Sequence, residues 1–287
     1  VHVHDRYYDT AVKNKYYSQS YTFKGEKKIN LSEDFSLGFG SDYNYTSGDF
    51  QVKGAWGSSA KGHMDNFGIF SNAGYKFKNS TILSAHLRGD RHKYSEENLT
   101  YKLNATKFIN KFTLSLSEST GLRHPDLFVL HGSNPSGSYK AMKTTKPETS
   151  LTREVSVKYN ISKNIYFNSA AYKGTVSNVL NRSTSTNAYN EIIDIEQKGL
   201  ESAFAFKNKK QTLILSSALS KSREGDGDPQ QRRPEKQFGV KYSRNLISNL
   251  IGPFNLNYDY KHIGKVEDWK NGTVLAKVDS TDIMNLS

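Results

Sequence analysis

Several short segments carry side chains whose types and spacing could do chemistry. His2 and His4 stand two residues apart, so on a strand they would share a face, a spacing able to chelate a metal. Two interfacial or lumenal histidines are the plainer reading. Glu224-Gly225-Asp226-Gly227-Asp228 alternates carboxylates with glycine, as calcium loops do, which makes Asp226 and Asp228 candidate ligands. The distal Glu of the full calcium-loop signature is missing. Arg232 and Arg233 could clamp an anionic ligand or pair with a neighbouring strand. There is no Gly-x-Ser-x-Gly elbow, no His-Glu-x-x-His and no phosphate-binding Gly-rich loop, so nothing supports an enzyme. Cysteine is absent, which excludes a thiol nucleophile, a thiolate zinc site and disulfides, and no cofactor is expected.

The elements that position these residues read as strands throughout. Phe35, Leu37, Phe39, Tyr43 and Tyr45 fall on one parity, and Ser36, Gly38, Gly40, Asp42 and Asn44 on the other. The same period of two recurs in Leu99–Ala105, Phe112–Leu116, Val155–Tyr159, Leu213–Leu219 and Phe254–Tyr260. No apolar stripe of period 3.6 runs longer than two turns. A soluble sandwich usually shows Lys, Glu and Thr on its outer parity, whereas here the polar parity is mostly Ser, Asn, Gly and Thr. That face suits a watery lumen, and the aromatic and aliphatic parity suits lipid with aromatic girdles at the strand ends. Tyr17, Tyr21, Phe23, Tyr43, Tyr45, Tyr75, Phe77, Tyr258 and Tyr260 are the girdle candidates. We therefore expect an all-β, antiparallel transmembrane β-barrel, with a large soluble β-protein as the competing reading.

About fourteen strands are expected, at 1–8, 15–24, 35–46, 67–77, 81–90, 98–108, 111–120, 150–160, 165–180, 189–206, 211–222, 234–244, 253–264 and 277–287. Short and long connections tend to alternate, which puts 46–66, 91–97, 121–149, 181–188, 223–233 and 265–276 outside the cell. The 40 Lys+Arg against 28 Asp+Glu give a net charge of +12. Lysines cluster at 24–28 and 207–210, which are expected to be strand ends and turns. No nucleic-acid recognition motif accompanies them. Rim lysines meeting the phosphates of outer-membrane lipid and lipopolysaccharide are the simpler account, and no nucleic-acid partner is expected.

The run from Ser119 to Gly132, with Gly121-Leu122-Arg123-His124-Pro125 and Leu127, resembles a barrel segment of TonB-dependent outer-membrane receptors. Lys146-Pro147-Glu148-Thr149-Ser150 with Arg153-Glu154-Val155 is similar to the next motif of that family. Ile195–Glu201 resembles its strand with a Gly-hydrophobic-Glu signature, and Arg232-Arg233-Pro234-Glu235-Lys236 its late-barrel Arg-Arg-Pro segment. The stretch between Asn134-Pro135 and Lys146-Pro147 is longer than the family pattern, which implies an altered external loop. No counterpart of the N-terminal plug, of the TonB-engaging segment or of the final aromatic strand is found. On this resemblance residues 1–287 read as an internal piece of a roughly 22-stranded barrel domain, without the plug.

The resemblance implies a protein of the bacterial outer membrane that takes up a large, scarce nutrient in a TonB-driven step. TonB would act through the N-terminal region absent from the sequence. Hairpin spacing and the Arg-Arg segment lean towards cobalamin as ligand. The alternatives are a ferric siderophore or haem receptor of the same family, or a non-transporting porin or adhesin barrel. A ligand arriving from outside meets the long loops first, and aromatic and Arg side chains concentrate binding energy. Phe50, Trp56, Phe128, Tyr139 and Trp269, with Arg232 and Arg233, are the expected contacts for such a small molecule or metal chelate.

Overall fold

The computed structural model describes residues 2–3, 6–8, 14–51, 59–133, 146–181, 191–225, 227–248, 252–270 and 274–287. Its strands are β1 (His2–Val3), β2 (Arg6–Tyr8), β3 (Asn14–Asn30), β4 (Phe35–Gln51), β5 (Ser59–Phe77), β6 (Thr81–His92), β7 (Asn98–Ile109) and β8 (Phe112–Arg123). The helix α1 (Leu127–His131) and β9 (Gly132–Ser133) follow. Next come β10 (Glu148–Asn160), β11 (Ile165–Asn181), β12 (Glu191–Lys207), β13 (Gln211–Glu224), β14 (Lys236–Ser248) and β15 (Gly252–Ile263). The chain ends with β16 (Val266–Lys270), β17 (Val274–Val278) and β18 (Thr281–Leu286).

One antiparallel sheet runs in sequence order, β1-β3-β4-β5-β6-β7-β8-β10-β11-β12-β13-β14-β15-β18, with β2 beside β1 on the edge of β3 and β9 on β5. That path has the fourteen strands expected from the alternation. Each strand hands its backbone bonds to the next, as a wall in lipid requires.

The turns at one end are short and sealed locally. Ser32 Oγ accepts the backbone N–H of Asp34 and of Phe35, at 3.2 and 3.0 Å. Asn208 Oδ1 accepts from the N–H groups of Lys210 and Gln211, both at 2.9 Å. Asn110 takes φ 51° in the two-residue link between Ile109 and Phe112, a conformation Asn tolerates. These are the periplasmic turns of a barrel, and the long connections lie at the other end.

Among the described residues no second layer faces the wall apart from α1 and β9. The buried apolar side chains are Ala60, Leu127, Leu130, Ile195 and Ala205, and Leu130 of α1 is the largest fully buried one. The outer parity instead exposes its apolar groups: Leu99 is 66% exposed and Leu116 and Val155 are each 57%. A soluble sandwich buries such residues between sheets, so the competing soluble reading fails. Near the short turns Tyr75 meets Phe77 edge-on at 4.6 Å and Phe112 stacks on Tyr159 at 4.3 Å, forming part of a periplasmic aromatic girdle. Among the described residues no helix is long and apolar enough to cross a membrane, which says nothing about strands.

Several expectations need correcting. Residues 46–51 and 59–66 are strand rather than loop, so Phe50 sits on β4. Lys24–Lys28 lie inside β3, not at a strand end. Within 121–149 the chain forms α1 and β9, although no helix was expected. The segment 265–276 is no open loop but most of a separate hairpin, β16–β17, so the last strand is 281–286 rather than 277–287. The first expected strand, 1–8, needs no such correction: β1 and β2 pair with β3 in one continuous register. A common reason covers the long strands: beyond the membrane both faces meet water, and the apolar-polar alternation that marks a strand fades.

The two-faced wall predicts an asymmetric response to charge. Leu116→Arg, six residues from the turn at Asn110, should lower folding stability in bilayers by about 2–4 kcal/mol. Ser115→Arg, on the lumenal parity, should cost far less. Equal costs by denaturant titration of the full-length protein would contradict this assignment of faces.

Candidate ligand-facing mouth

The lumenal parity of β4, β5 and β6 builds the site from one ionic cluster upward. Arg88 Nη1 and Nη2 donate to Asp42 Oδ2 and Oδ1 at 2.6 and 2.9 Å. Its Nε and Nη2 donate to Asp90 Oδ2 and Oδ1 at 2.8 and 2.7 Å. Asn66 and Asn44 amides add bonds of 2.8 and 3.1 Å to Asp90 and Asp42. Both carboxylates are nearly buried, at 9% and 7% exposure. The guanidinium lies flat on the wall because Gly68 is beneath it; a Cβ there would lie 2.6 Å from Arg88 Cζ. One cation thus ties three neighbouring strands with charge-assisted forks.

Further towards the outside, the connection after β8 folds down onto the wall. Asp126 caps α1 by accepting the Val129 N–H at 2.9 Å, and Leu127 and Leu130 are buried. The landing place is the cross-strand pair Gly48 and Gly62. A Cβ on Gly48 would lie 2.7 Å from Phe50 Cε2 and 3.0 Å from Leu127 Cδ1, and one on Gly62 would lie 2.6 Å from His131 Nε2. The glycine pair is flat enough for the helix to dock. β9 then pairs Ser59 with Ser133 and Ala60 with Gly132.

A histidine cluster fills the gap beside α1. His92 and His124 stack at 4.4 Å with rings 11° apart, and Tyr94 meets His131 edge-on at 5.2 Å. Strands need only about ten residues to cross the bilayer. His92 is the twelfth residue of β6 and His124 follows β8, so both lie at the outer rim. Burial, and then the neighbouring His124, push His92 down to about 4. Burial also lowers His124, so the pair rests neutral. His124 Nδ1 meets Ser95 Oγ at 3.2 Å, while His124 Nε2 and His131 Nε2 are buried without a hydrogen-bond partner among the described residues.

The residues expected from sequence are partly gathered here. Phe50 is half-buried on the lumenal face, 6.3 Å from Tyr16, with Leu127 on the same glycine; Phe128 is half-buried on α1. Trp56 and Tyr139 lie outside the described residues, as do Asp226 and His4. Trp269 sits in β16 opposite Leu275, and its side chain is outside the description. Arg232 is elsewhere and already engaged: its Nε donates to Asp268 at 3.0 and 3.1 Å, and its N–H bonds Glu267 O at 2.8 Å. Arg233 is exposed and lines a cavity of about 560 Å³ with Lys236, Lys277 and Glu267, where Arg223 pairs with Glu235 at 2.8 Å and Lys265 with Asp279 at 3.2 Å. Asp228 is exposed, and its carbonyl accepts the Glu224 N–H at 2.8 Å. Among the described residues no three His, Asp or Glu side chains cluster as metal ligands. Sequence reading missed Arg88, Asp42, Asp90 and the three histidines. The available signal was their placement: Arg88, Asp90 and His92 follow one another at i, i+2 and i+4 on the lumenal parity of β6.

Residues 3–287 match the family model described as TonB dependent receptor-like, beta-barrel. The chain belongs to this family. It is a piece of an outer-membrane barrel of TonB-dependent receptors, a family of transporters rather than enzymes. No curated protein sequence matches it. Among solved structures it is similar to the siderophore receptor PirA from Acinetobacter baumannii, with TM-score 0.73 and 13% identity over 96% of this chain and 48% of that one. The ferric yersiniabactin uptake receptor FyuA from Yersinia pestis gives 0.72 and 7% over 97% and 48%. The FrpB iron transporter from Neisseria meningitidis gives 0.70 and 12% over 96% and 48%. At such identities the likeness establishes the fold, and the chain spans about half the length of each receptor.

Two predictions concern this mouth. Arg88→Met leaves two nearly buried carboxylates facing each other and should destabilise the barrel by about 3 kcal/mol or more. Adding Asp42→Asn and Asp90→Asn should recover most of the loss in urea midpoint. The lowered histidine pKa values mean that the docked loop favours the neutral rings. Its stabilisation is therefore complete above the ordinary histidine value near 6.5 and drains away as pH falls towards 4. Hydrogen-exchange protection factors at residues 127–131 should drop between pH 7 and pH 4.5, and His92→Gln with His124→Gln should flatten that response. Protection independent of pH in the unsubstituted receptor would refute it.

Proposed function

We propose that this chain forms wall and outer mouth of a receptor that imports a ferric siderophore, with TonB supplying the driving force through a region outside this sequence. The observation that carries the ligand class is the set of similar solved barrels, whose names specify iron, a siderophore or ferric yersiniabactin. The lean towards cobalamin rested on hairpin spacing and on Arg232-Arg233. Arg232 is paired with Asp268, which weakens the case for that motif as an anion clamp. Family membership favours a receptor over a passive porin or adhesin.

In this reading the ligand meets the aromatic edge formed by Tyr16 and Phe50 and the docked helix with Phe128. Trp56, Tyr139 and Trp269, which stand in or beside the external connections, are further contacts. Arg233, Lys236 and Lys277, beside Glu235 and Glu267, leave a small excess of positive charge that would favour an anionic chelate.

Purified full-length receptor, titrated with ferric catecholate, hydroxamate and mixed-type siderophores, haem and cyanocobalamin, should bind at least one ferric siderophore and not cyanocobalamin. Phe50→Ala combined with Trp56→Ala and Tyr139→Ala should weaken that binding at least tenfold, about 1.4 kcal/mol, at unchanged barrel yield. Tight binding of cyanocobalamin alone would restore the other ligand class. Unchanged siderophore affinity in the triple variant would remove these residues from the site.

A further inference from the structure

The outer face of β8 and β10–β13 carries a row of cations that the wall itself does not balance. Arg153 is the register partner of Lys173, Lys173 of Lys198, and Lys198 of Lys221. All four are exposed and share the parity of Val155, Ala171, Leu200 and Leu219, the next row towards the periplasm. Three like-charged pairs directly opposite one another work against strand pairing. Only one end is compensated: Arg153 Nε donates to Glu118 Oε2 at 2.6 Å, and the Tyr101 hydroxyl donates to Glu118 Oε1 at 2.6 Å. Among the described residues no ion pair engages Lys173, Lys198 or Lys221, and Glu196, one row farther out, pairs with none of them.

The row stands at a defined depth. Arg153 is seven residues from Asn160, Lys173 eight from Ile165, Lys198 nine from Lys207 and Lys221 ten from Gln211, all counted from the periplasmic turns. At about 3.4 Å per residue and a tilt of about 45°, that is roughly 17–24 Å up a lipid-facing band about 25 Å tall. The long side chains reach over the remaining few ångströms, so their charges lie where outer-leaflet headgroups begin. Below them the wall has a depression of about 920 Å³ lined by Leu83, Ala105, Leu116, Val155 and Ala171, with Arg153 and Lys173 on its edge. Small residues make it: Ala105 stands between Leu83 and Leu116 in register, and Ala171 between Val155 and Leu200.

We propose that this surface is a binding site for the phosphorylated glycolipid of the outer leaflet, lipopolysaccharide. Its lipid A phosphates lie across Lys173, Lys198 and Lys221 with Arg153, and an acyl chain lies in the depression. The occupant follows from charge and depth together. Four cations less one carboxylate leave three positive charges, which suit a headgroup with two phosphates. A zwitterionic phospholipid brings its own ammonium, and an acidic protein segment has no apolar chain to lay into a depression at hydrocarbon depth. Lysine rows near a membrane surface attract anionic lipid additively. The site faces away from the lumen and does not depend on which nutrient the receptor carries.

Full-length receptor in nanodiscs, released for native mass spectrometry, tests this with bis-phosphorylated lipid A, dephosphorylated lipid A and phosphatidylglycerol as probes. The unsubstituted receptor should retain bis-phosphorylated lipid A at least tenfold over both other lipids. Lys173→Gln with Lys198→Gln and Lys221→Gln should abolish that preference, whereas the three Lys→Arg changes should keep it. The control Lys207→Gln with Lys209→Gln and Lys210→Gln, at a periplasmic turn, should also keep it. If the glutamine triple fails to insert, Lys198→Gln alone should still cut retention at least threefold. Equal retention of dephosphorylated lipid A or phosphatidylglycerol, or a substituted row that retains lipid A unchanged, overturns the proposal.

Discussion

Every strand of this wall has to satisfy two solvents at once, because among the described residues nothing but α1 and β9 covers either face. Backbone groups have only the neighbouring strands as partners in lipid, which forces the uninterrupted antiparallel ladder from β3 to β15. Side chains have only two destinations, hydrocarbon or lumen. Leu116 and Ser117, adjacent in sequence, therefore belong to different environments, and a one-residue slip would exchange them. Register is the property on which the chain's stability depends, and the Arg88 fork is one device that pins it. Its carboxylate partners are on β4 and β6, on either side of Gly68 in β5, and the geometry tolerates no slip.

The loop after β8 obeys different rules. It holds Leu127 and Leu130, two of the few buried apolar side chains, and is the one part of the chain that folds as a soluble protein does. Two buried leucines contribute roughly 3–6 kcal/mol, comparable to fixing a handful of backbone residues at about 1–2 kcal/mol each. A five-residue helix has no independent stability. Its position is thus held by the Asp126 cap, the flat Gly48–Gly62 landing and the neutral His92–His124 stack, each a small contribution that can be reversed.

The strand pattern was legible in the sequence wherever the two solvents differ, and this explains both success and failure. Inside the bilayer the alternation at 35–45, 99–105 and 112–117 marks faces and strands together. Above it, at 46–51 and 59–66, Thr46, Ser47, Asp49, Lys61 and His63 meet water on both sides, so β4 and β5 looked shorter than they are. The helix α1 and the hairpin β16–β17 escaped notice because tertiary contacts, not periodicity, make them. Of the candidate contacts, Phe50 was placed at the mouth for a partly wrong reason, as a loop residue. For Arg232 the sequence offered an anion clamp or an ion pair to another strand without naming the partner, because Asp268 lies thirty-six residues away on an element the sequence did not reveal.

The two faces also separate two kinds of recognition along one strand. Tyr172 of β11 faces the lumen, with its ring over Gly199 of the Gly-hydrophobic-Glu motif, while Lys173 faces the membrane. The lumenal glycines act by what they leave out, letting Tyr172, Arg88 and the docked helix lie close to the wall and keep the path wide. The outward lysines act by what they present, a row of like charges whose mutual repulsion an anion outside the wall would relieve. The two parities of β11 are thus under separate constraints: Tyr172 needs the space that Gly199 leaves on the inner face, whereas Lys173, on the proposal above, needs a counter-charge from outside the wall.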